Sequence, residues 1–195
     1  MTQSDTPAVR TEGVWKIFQQ EAEEVQAVRD VSLTVEAGEF TALAGPSGSG
    51  KTTLLNVIGG LTRPTRGRVW VAGQDVTDMS NQELAQLRLE QVGFIFQAYN
   101  LLPVLTAMEN AEFPMLLQGI AADERAARIG ELFARTSMAG LEDRRPGKLS
   151  GGQQQRVAVI RAVASRPALV LADEPTANLD SASSEALLDV MAELN

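Results

Sequence analysis

The sequence predicts an α/β fold with a helical insertion, and three observations support this prediction. Residues 40–44 are mostly apolar, which predicts a strand, and they lead directly into a glycine-rich loop that is followed by a helical pattern from Lys51 to Ile58. Residues 101–148 have apolar residues at helical spacing and contain no strand-like run. Residues 168–172 are continuously apolar, which is typical of a parallel strand buried on both faces. Strand and helix therefore alternate on either side of a helical middle section.

The first half of the chain contains three further strand signals and one helix start. Residues 31–36 alternate apolar and polar side chains, as a strand with one solvated face does, and a turn follows at Ala37-Gly38. Residues 69–71 predict a short strand between two glycines, and residues 92–96 predict another. Residues 80–83 form a Ser-x-x-Glu capping box, which predicts that a helix begins there.

The second half ends in two helices around the apolar strand. We expect a helix over 153–165 that stops at Arg166-Pro167, because the residue before a proline disfavours helical geometry. A last helix, over about 183–194, should place four apolar residues on one stripe. These residues are Leu187, Leu188, Met191 and Leu194.

Composition limits the chemistry that the protein can perform. The 195 residues fit one domain, and they include neither cysteine nor histidine. Thiolate metal sites, cysteine nucleophiles and histidine bases are therefore excluded, so catalysis must depend on carboxylates, hydroxyls, lysine, arginine or backbone amides. A net charge of −8 argues against a sequence-independent nucleic-acid binder, and we expect no nucleic-acid partner.

The sequence contains no signal for membrane insertion or export. Its apolar runs are far shorter than the ~20 residues that span a bilayer, and its first residues lack a basic segment followed by an apolar one. We expect a cytoplasmic chain whose role at a membrane depends on a partner.

The glycine-rich loop has the composition of a phosphate-binding loop, residues 45–52. Its sequence is Gly45-Pro46-Ser47-Gly48-Ser49-Gly50-Lys51-Thr52. Glycines let successive backbone N–H groups point at phosphate oxygens, and the next helix adds partial positive charge at its N-terminus. Lys51 supplies a full charge, and the Thr52 hydroxyl is a candidate Mg²⁺ ligand. A surface turn is the alternative, which the flanking strand and helix patterns disfavour.

Two other motifs follow the phosphate loop. Asp173 and Glu174 end the apolar strand, where ligands bind in open α/β sheets. Such a pair is more often a solvated loop start or a helix cap, but the upstream phosphate loop favours a functional role. The signature segment, Leu149-Ser150-Gly151-Gly152-Gln153, opens a helix and so provides a second anion-binding terminus.

These three motifs, in this order, are the signature of one ATPase family. From about Val14 to Asn195 the sequence resembles the nucleotide-binding domain of an ABC transporter. The resemblance implies a P-loop NTPase (RecA-like) core with an antiparallel β subdomain and a helical insertion. It assigns the β subdomain and phosphate-loop core to residues 1–96, and the insertion to residues 97–150. Residues 151–195 then carry the signature helix, the Walker B strand and the final helix.

The resemblance also assigns ATP and Mg²⁺ as cofactors and gives roles to the site residues. Thr53 and the amides of Ser47, Gly48, Ser49 and Gly50 complete the phosphate cradle. Asp173 is similar to the aspartate that holds Mg²⁺, mostly through water, and Glu174 to the catalytic carboxylate that polarises the attacking water. Gln97 matches a glutamine that contacts Mg²⁺ and the water, and that hinges the insertion.

The remaining implied contacts concern adenine and a second copy of the chain. Phe18 matches the aromatic residue that stacks on adenine, with Trp15 as the competitor and core packing as the alternative for both. Ser150, Gly152 and Gln153 would bind the ATP held by the partner in a head-to-tail homodimer. Residues 177–180 resemble the loop that couples the two sites, although Asp180 could simply cap the last helix.

The implied function is an ATP-hydrolysing subunit that energises a membrane permease from the inner face of the membrane. Residues 93–117 look like the branch of lipoprotein-releasing, macrolide-export and cell-division ATPases. Two alternatives remain: a soluble ABC ATPase outside transport, and a non-hydrolysing regulatory subunit. The family's switch histidine and later core strands are missing before Asn195, so we expect a truncated chain that binds ATP weakly and hydrolyses it slowly on its own.

Overall fold

The structure, a computed structural model, describes residues 6–20 and 23–195. The chain divides into two compact units, Met1–Gln91 and Val92–Asn195. The first unit contains β1 (Val9–Gln20), β2 (Glu23–Val35), α1 (Lys51–Ile58), β3 (Arg66–Val71), β4 (Gln74–Asp75) and α2 (Asn81–Gln91). The second contains β5 (Val92–Ile95), α3 (Ala107–Leu117), α4 (Ala122–Arg135), a 3-10 helix (Pro146–Lys148), α5 (Gly151–Val163), β6 (Leu169–Ala172) and α6 (Ser181–Leu194).

An antiparallel sheet with strand order β2-β1-β3-β4 forms the base of the first unit. The predicted strands at 31–36 and 69–71 are confirmed within one residue as parts of β2 and β3. β1 pairs with both neighbours, and its bulges shift the register near residues 11 to 17. Several valines on these strands and Val57 of α1 are buried. The antiparallel β subdomain is therefore present.

The predicted strand over residues 40–44 is wrong. These residues have no regular secondary structure, and Phe40 and Leu43 are 53% and 40% exposed. Apolar composition predicts burial, but a strand also needs a neighbour whose N–H and C=O groups pair with its own. Within the described residues, the sheet of the first unit takes its four strands from elsewhere. An extended segment therefore leads into the phosphate loop.

Both predicted helices of the first unit are confirmed. α1 spans Lys51–Ile58 and ends at two glycines, with Leu54, Val57 and Ile58 buried. α2 begins after the predicted capping box: the Ser80 N–H donates to Glu83 at 2.7 Å, and the Glu83 N–H donates to the Ser80 hydroxyl at 3.3 Å. Such reciprocal bonds satisfy backbone donors that the first helical turn leaves unpaired.

In the second unit, β5 and β6 pair in parallel, with Ile95 opposite Ala172. Gly93 of β5 packs so closely against α5 that a Cβ atom there would lie 2.1 Å from the carbonyl oxygen of Ala162. The prediction that β6 is buried on both faces is wrong, because Val170 is 37% exposed. Among the described residues β6 has β5 as its strand partner, and one of its faces stays accessible.

The middle of the chain is helical, as predicted. α3, α4 and α5 enclose an apolar cluster whose largest members, Ile129, Leu132, Phe133 and Met138, are fully buried. Arg125 of α4 joins the Glu112 carboxylate of α3 at 2.8 Å, with both side chains mostly shielded from solvent. The segment therefore has its own core within the second unit.

Two helix predictions need correction. α5 begins at Gly151 and ends at Val163, two residues earlier at each end than 153–165, because Ser150 caps it. On α6, Leu187 is 1% exposed while Leu188 is 44% exposed, so Leu188 does not belong to the buried stripe. The helix turns by about 100° per residue, which places neighbours on different faces.

Candidate functional site

The phosphate loop lies in the first unit and leads into α1. Gly48 and Gly50 have φ angles of 78° and 91°, and Gly50 is the N-cap of α1. A Cβ atom on Gly50 would lie 2.1 Å from the carbonyl oxygen of Ala27 on β2. Only glycine fits this position, because its backbone is left-handed and lies in contact with the backbone of β2.

Lys51 is the first residue of α1, and its side chain turns back onto the loop. Its Nζ donates to the carbonyl oxygens of Gly45 at 2.9 Å and Pro46 at 3.0 Å. The Ser49 N–H also donates to the Pro46 carbonyl, at 3.2 Å. The ammonium group is therefore held beside the glycines and the first turn of the helix, where the partial charge is positive.

A cavity of about 520 Å³ opens between the phosphate loop and β2. Its lining combines loop residues such as Gly48 and Lys51 with Ala27, Val28 and Arg29 of the strand. This volume lies in the range of small-molecule and cofactor sites, roughly 300 to 1,000 Å³. The loop thus forms one wall of a space large enough for a nucleotide.

Two aromatic residues of β1 are candidates for contact with a base. Phe18 is 39% exposed, and the Lys16 ammonium lies over its ring, 4.9 Å from the centroid. Trp15 is half-buried, and its carbonyl oxygen accepts a bond from the Thr65 N–H at 2.7 Å. Phe18 has the more accessible aromatic surface of the two, as a stacking partner requires.

Gln97 and Asp173 follow the two parallel strands of the second unit. The Asp173 N–H donates to the Ile95 carbonyl at 2.9 Å, extending the pairing of β5 and β6 by one residue. The Gln97 carbonyl accepts a bond from Asn178 Nδ2 at 2.9 Å. The carboxyl ends of both strands therefore carry polar groups at the same edge, where α/β sheets bind ligands.

Glu174 is exposed and has a left-handed backbone. Its φ angle is 46°, and its carbonyl oxygen accepts a bond from the Ala177 N–H at 3.1 Å. Non-glycine residues with positive φ are uncommon, and such conformations concentrate at functional sites. Glu174 is the second residue of the acidic loop, residues 173–180, and the last residue of this loop caps α6 by accepting a bond from the Ser183 N–H at 2.9 Å.

The signature segment forms the start of α5. Ser150 is the N-cap, its hydroxyl accepts a bond from the Gln153 N–H at 3.3 Å, and Gln153 Oε1 accepts one from the Ser150 N–H at 2.9 Å. The predicted helix opening is therefore confirmed, with a capping box that our prediction missed although the Ser-x-x-Gln spacing indicates it. Gly151 lies under Tyr99: a Cβ there would be 2.8 Å from the Tyr99 hydroxyl.

Two polar residues of α5 connect it to the loops after the strands, and the sequence prediction missed both. Arg161 donates to the carbonyl oxygens of Tyr99 and Asn100 at 3.0 and 2.7 Å, and burial lowers the pKa of Arg161 below its ordinary value. Gln155 donates to the Pro175 carbonyl at 2.8 Å. Gln155 shares a helix face with buried Val159, so a polar residue on an apolar face was the available signal.

The predicted metal ligands offer a donor set that suits Mg²⁺. Thr52, Gln97 and Asp173 supply hydroxyl, amide and carboxylate oxygens, the hard ligands that this ion prefers. Thr52 belongs to the first unit, and the other two belong to the second. Residues 6–20 and 23–195 contain no cluster of three or more His, Cys, Asp or Glu residues that could hold a metal ion by itself.

In the part of the chain that the structure describes, no helix combines the length and apolar character needed to cross a bilayer.

Comparison with known proteins gives consistent matches. The sequence pattern of the family described as ABC transporter matches residues 28–177. An uncharacterized ABC transporter ATP-binding protein of Thermotoga maritima is 50% identical over 93% of this chain and 78% of its own length. The lipoprotein-releasing system ATP-binding protein LolD of Chromohalobacter salexigens is 41% identical over 98% of this chain and 84% of its own.

Two further matches add a longer protein and a solved structure. The macrolide export ATP-binding/permease protein MacB of Chromobacterium violaceum is 46% identical over 94% of this chain, which spans only 29% of that protein. The dimeric structure of the cassette MJ0796 in a post-hydrolysis state, bound to ADP and Pi, superposes with a TM-score of 0.86. It is 39% identical and matches 94% of this chain and 81% of its own.

Proposed function

The chain belongs to the ABC transporter family, and we propose that its phosphate loop, acidic loop and signature segment together build a shared ATP-hydrolysing site. The protein is an ATP-binding and ATP-hydrolysing subunit of an ATP-driven transporter, with a P-loop NTPase fold. The observation that most supports the detailed site is the backbone of the phosphate loop, with left-handed Gly48 and Gly50 ahead of Lys51.

The phosphate loop binds the triphosphate of ATP in this proposal. Backbone N–H groups of Gly45 and of Ser47 to Gly50 surround the phosphates, and Lys51 contributes the full positive charge. Thr53, in the first turn of α1, adds a hydroxyl. Phe18 stacks on adenine, which its exposure on β1 supports better than the half-buried position of Trp15.

Mg²⁺ is the second cofactor that we propose, held by Thr52, Gln97 and Asp173. Their oxygen atoms fit the ion, and the position of Asp173 directly after β6 supports its role. When bound, the ion neutralises negative charge on the phosphates. The residues of this chain orient the nucleotide, and Lys51 adds the remaining positive charge.

Glu174 is the catalytic carboxylate in this proposal. It accepts a proton from the attacking water, and Gln97 orients that water. Its exposed position and left-handed backbone support the assignment, since neither satisfies an evident packing need. No histidine occurs in the sequence, so a carboxylate is the available general base.

A second copy of the chain completes the site. We propose a head-to-tail homodimer in which Ser150, Gly152 and Gln153 contact the ATP of the partner. The helix terminus that they form favours anions, and the similar cassette MJ0796 has a dimeric structure. Residues 177–180 would then lie at the dimer interface.

A membrane permease is the second partner that we propose, which places the protein on the cytoplasmic face of the membrane. The name of MacB joins an ATP-binding part to a permease part, and LolD is named for a lipoprotein-releasing system. In this arrangement residues 97–150 form the insertion that contacts the permease, while 1–96 and 151–195 supply the ATP site together with Gln97 and Ser150 at the two ends of the insertion. Exposed apolar side chains in the insertion support this contact: Leu102, Val104, Leu116 and Leu117.

The variant Glu174→Gln tests the site. It should retain ATP affinity but hydrolyse ATP slower by a factor on the order of 10² or more, because it removes the general base. It should also accumulate a dimer in the presence of ATP, visible by gel filtration, since hydrolysis reopens the interface. Glu185→Gln on α6 makes the same charge change at an exposed position and is the control. Normal turnover in Glu174→Gln would contradict the assignment.

A further inference from the structure

Gln155 of α5 is a fully buried amide with one satisfied end and one unsatisfied end. Its Nε2 donates to the Pro175 carbonyl oxygen at 2.8 Å, and its exposure is 0%. Its Oε1 is buried and has no hydrogen-bond partner among the residues that the structure describes. A buried acceptor without a donor costs free energy that an apolar side chain of the same length would avoid. Core filling alone therefore does not explain a glutamine here.

The acceptor of this bond adjoins the most unusual backbone of the acidic loop. Glu174 has a φ angle of 46°, although it is neither glycine nor asparagine, and it precedes a proline. A following proline favours extended geometry, so Glu174 departs from its local preference on both counts. Such a conformation persists only when contacts from the surrounding structure determine it.

Two backbone hydrogen bonds and one side-chain hydrogen bond from another element hold this loop. The Asp173 N–H donates to the carbonyl oxygen of Ile95, and the Ala177 N–H donates to the carbonyl oxygen of Glu174. Gln155 joins the loop to α5, 20 residues earlier in the sequence. Because α5 begins with the signature segment, the same helix carries the Ser150 cap and this tie to the acidic loop.

We propose that Gln155 is a positioning residue for ATP hydrolysis, which holds the Glu174 carboxylate in its working position through the Pro175 carbonyl. The inference rests on the catalytic role proposed for Glu174. In this proposal α5 connects the signature segment at its N-terminus to the loop that carries the general base, through the hydrogen bond of Gln155. Gln155 itself touches neither nucleotide nor water in this role.

The variant Gln155→Met tests the proposal, since methionine has a similar length but cannot donate. We expect single-turnover hydrolysis of ATP to slow roughly 10- to 100-fold, as for a small displacement of a catalytic group, with ATP affinity within about twofold of the parent. Amide hydrogen exchange at Ala177 and Leu179 should accelerate while exchange in α5 stays unchanged. Gln155→Asn keeps the amide group but shortens the side chain by one methylene. It should change hydrolysis and hydrogen exchange in the same way as Gln155→Met, and it replaces that variant in the test if Gln155→Met folds poorly.

A double-mutant cycle separates positioning from general loss of structure. In the Glu174→Gln background, Gln155→Met should slow hydrolysis by less than about twofold, because the group that it positions is already gone. The buried core variant Ile129→Val perturbs the same unit away from the loop and should act equally in both backgrounds. Equal losses from Gln155→Met in the two backgrounds, or parent-like rates in the single variant, would overturn the proposal. If Glu174→Gln alone keeps full activity, the proposed function fails instead.

Discussion

At the scale of single residues, Lys51 shows how the phosphate loop is prepared for an anion. Its ammonium group donates to two neutral carbonyl oxygens, those of Gly45 and Pro46. A phosphate oxygen carries negative charge, so it adds a Coulomb attraction to the ammonium group that a neutral carbonyl oxygen does not provide. A phosphate can therefore replace these carbonyls favourably, and until it does they keep the ammonium beside the loop.

Lys51→Ala should weaken ATP binding at least about tenfold, the loss expected when one charge-assisted phosphate contact of about 1.4 kcal/mol disappears. Isothermal titration calorimetry with Mg-ATP measures this directly. Lys148→Ala removes the same charge at an exposed position after Pro146 and should leave the affinity within about twofold. Equal affinities for the Lys51 variant and the parent would contradict the phosphate-loop interpretation.

At the scale of elements, Asn110 organises the segment that precedes α3. Its side chain is 1% exposed and accepts a bond from the Leu102 N–H at 2.7 Å. Its Nδ2 donates to the carbonyl oxygens of Leu102, Leu105 and Thr106. One buried amide thus contacts four backbone groups of a turn that no regular secondary structure supports, and its two N–H donors are shared among the three carbonyl oxygens. The exposed residues Leu102 and Val104 lie in this turn, so the hydrogen bonds of Asn110 help to fix their backbone.

Asn110→Ala should lower the free energy of unfolding by about 2 to 4 kcal/mol, because several backbone groups lose their partner inside the protein. Denaturant unfolding monitored by circular dichroism measures the change. Asn81→Ala, at an exposed position at the start of α2, is the control and should stay within about 0.5 kcal/mol. A loss of the same small size for Asn110→Ala would show that water replaces its hydrogen bonds.

At the scale of the whole molecule, the ionisable groups place the pH dependence of stability in the acidic range. The sequence has no histidine, the side chain that ordinarily titrates between pH 5 and 8. The Ser183 hydroxyl and N–H lower the pKa of Asp180 below its ordinary value near 3.8. Bonds from Thr77 lower the pKa of Asp75, and bonds from Ser80 lower that of Glu83. In all three cases the carboxylate accepts hydrogen bonds that favour its charged form over its protonated form.

We expect the melting temperature of the nucleotide-free protein to be nearly constant from about pH 6 to 8 and to fall below about pH 4.5. A lowered folded-state pKa contributes stability above the unfolded-state pKa, and this contribution is lost as the pH falls through the folded-state value. Differential scanning calorimetry from pH 3 to 8 tests the profile. Asp180→Asn should flatten the acidic part, and a steeper acidic decline in that variant would contradict the assignment.

The sequence by itself determined the features that depend on near neighbours. The limits of α1, the capping box before α2 and the helical middle section follow from glycine positions, caps and periodicity over a few residues. The phosphate loop and signature segment are also local, because a helix N-terminus forms wherever the adjacent residues permit one. The family follows from these motifs, and the comparisons confirm it.

Only the tertiary structure decided the features that depend on distant partners. Residues 40–44 have the composition of a strand but lie exposed, because strand formation needs a pairing neighbour that composition does not specify. Arg161 reaches Tyr99 across 62 residues, and Gln155 reaches Pro175 across 20. Periodicity places such side chains on a helix face, but packing between elements determines which carbonyl groups come within hydrogen-bonding distance. The ties that hold the loops around the site were therefore decided by the fold.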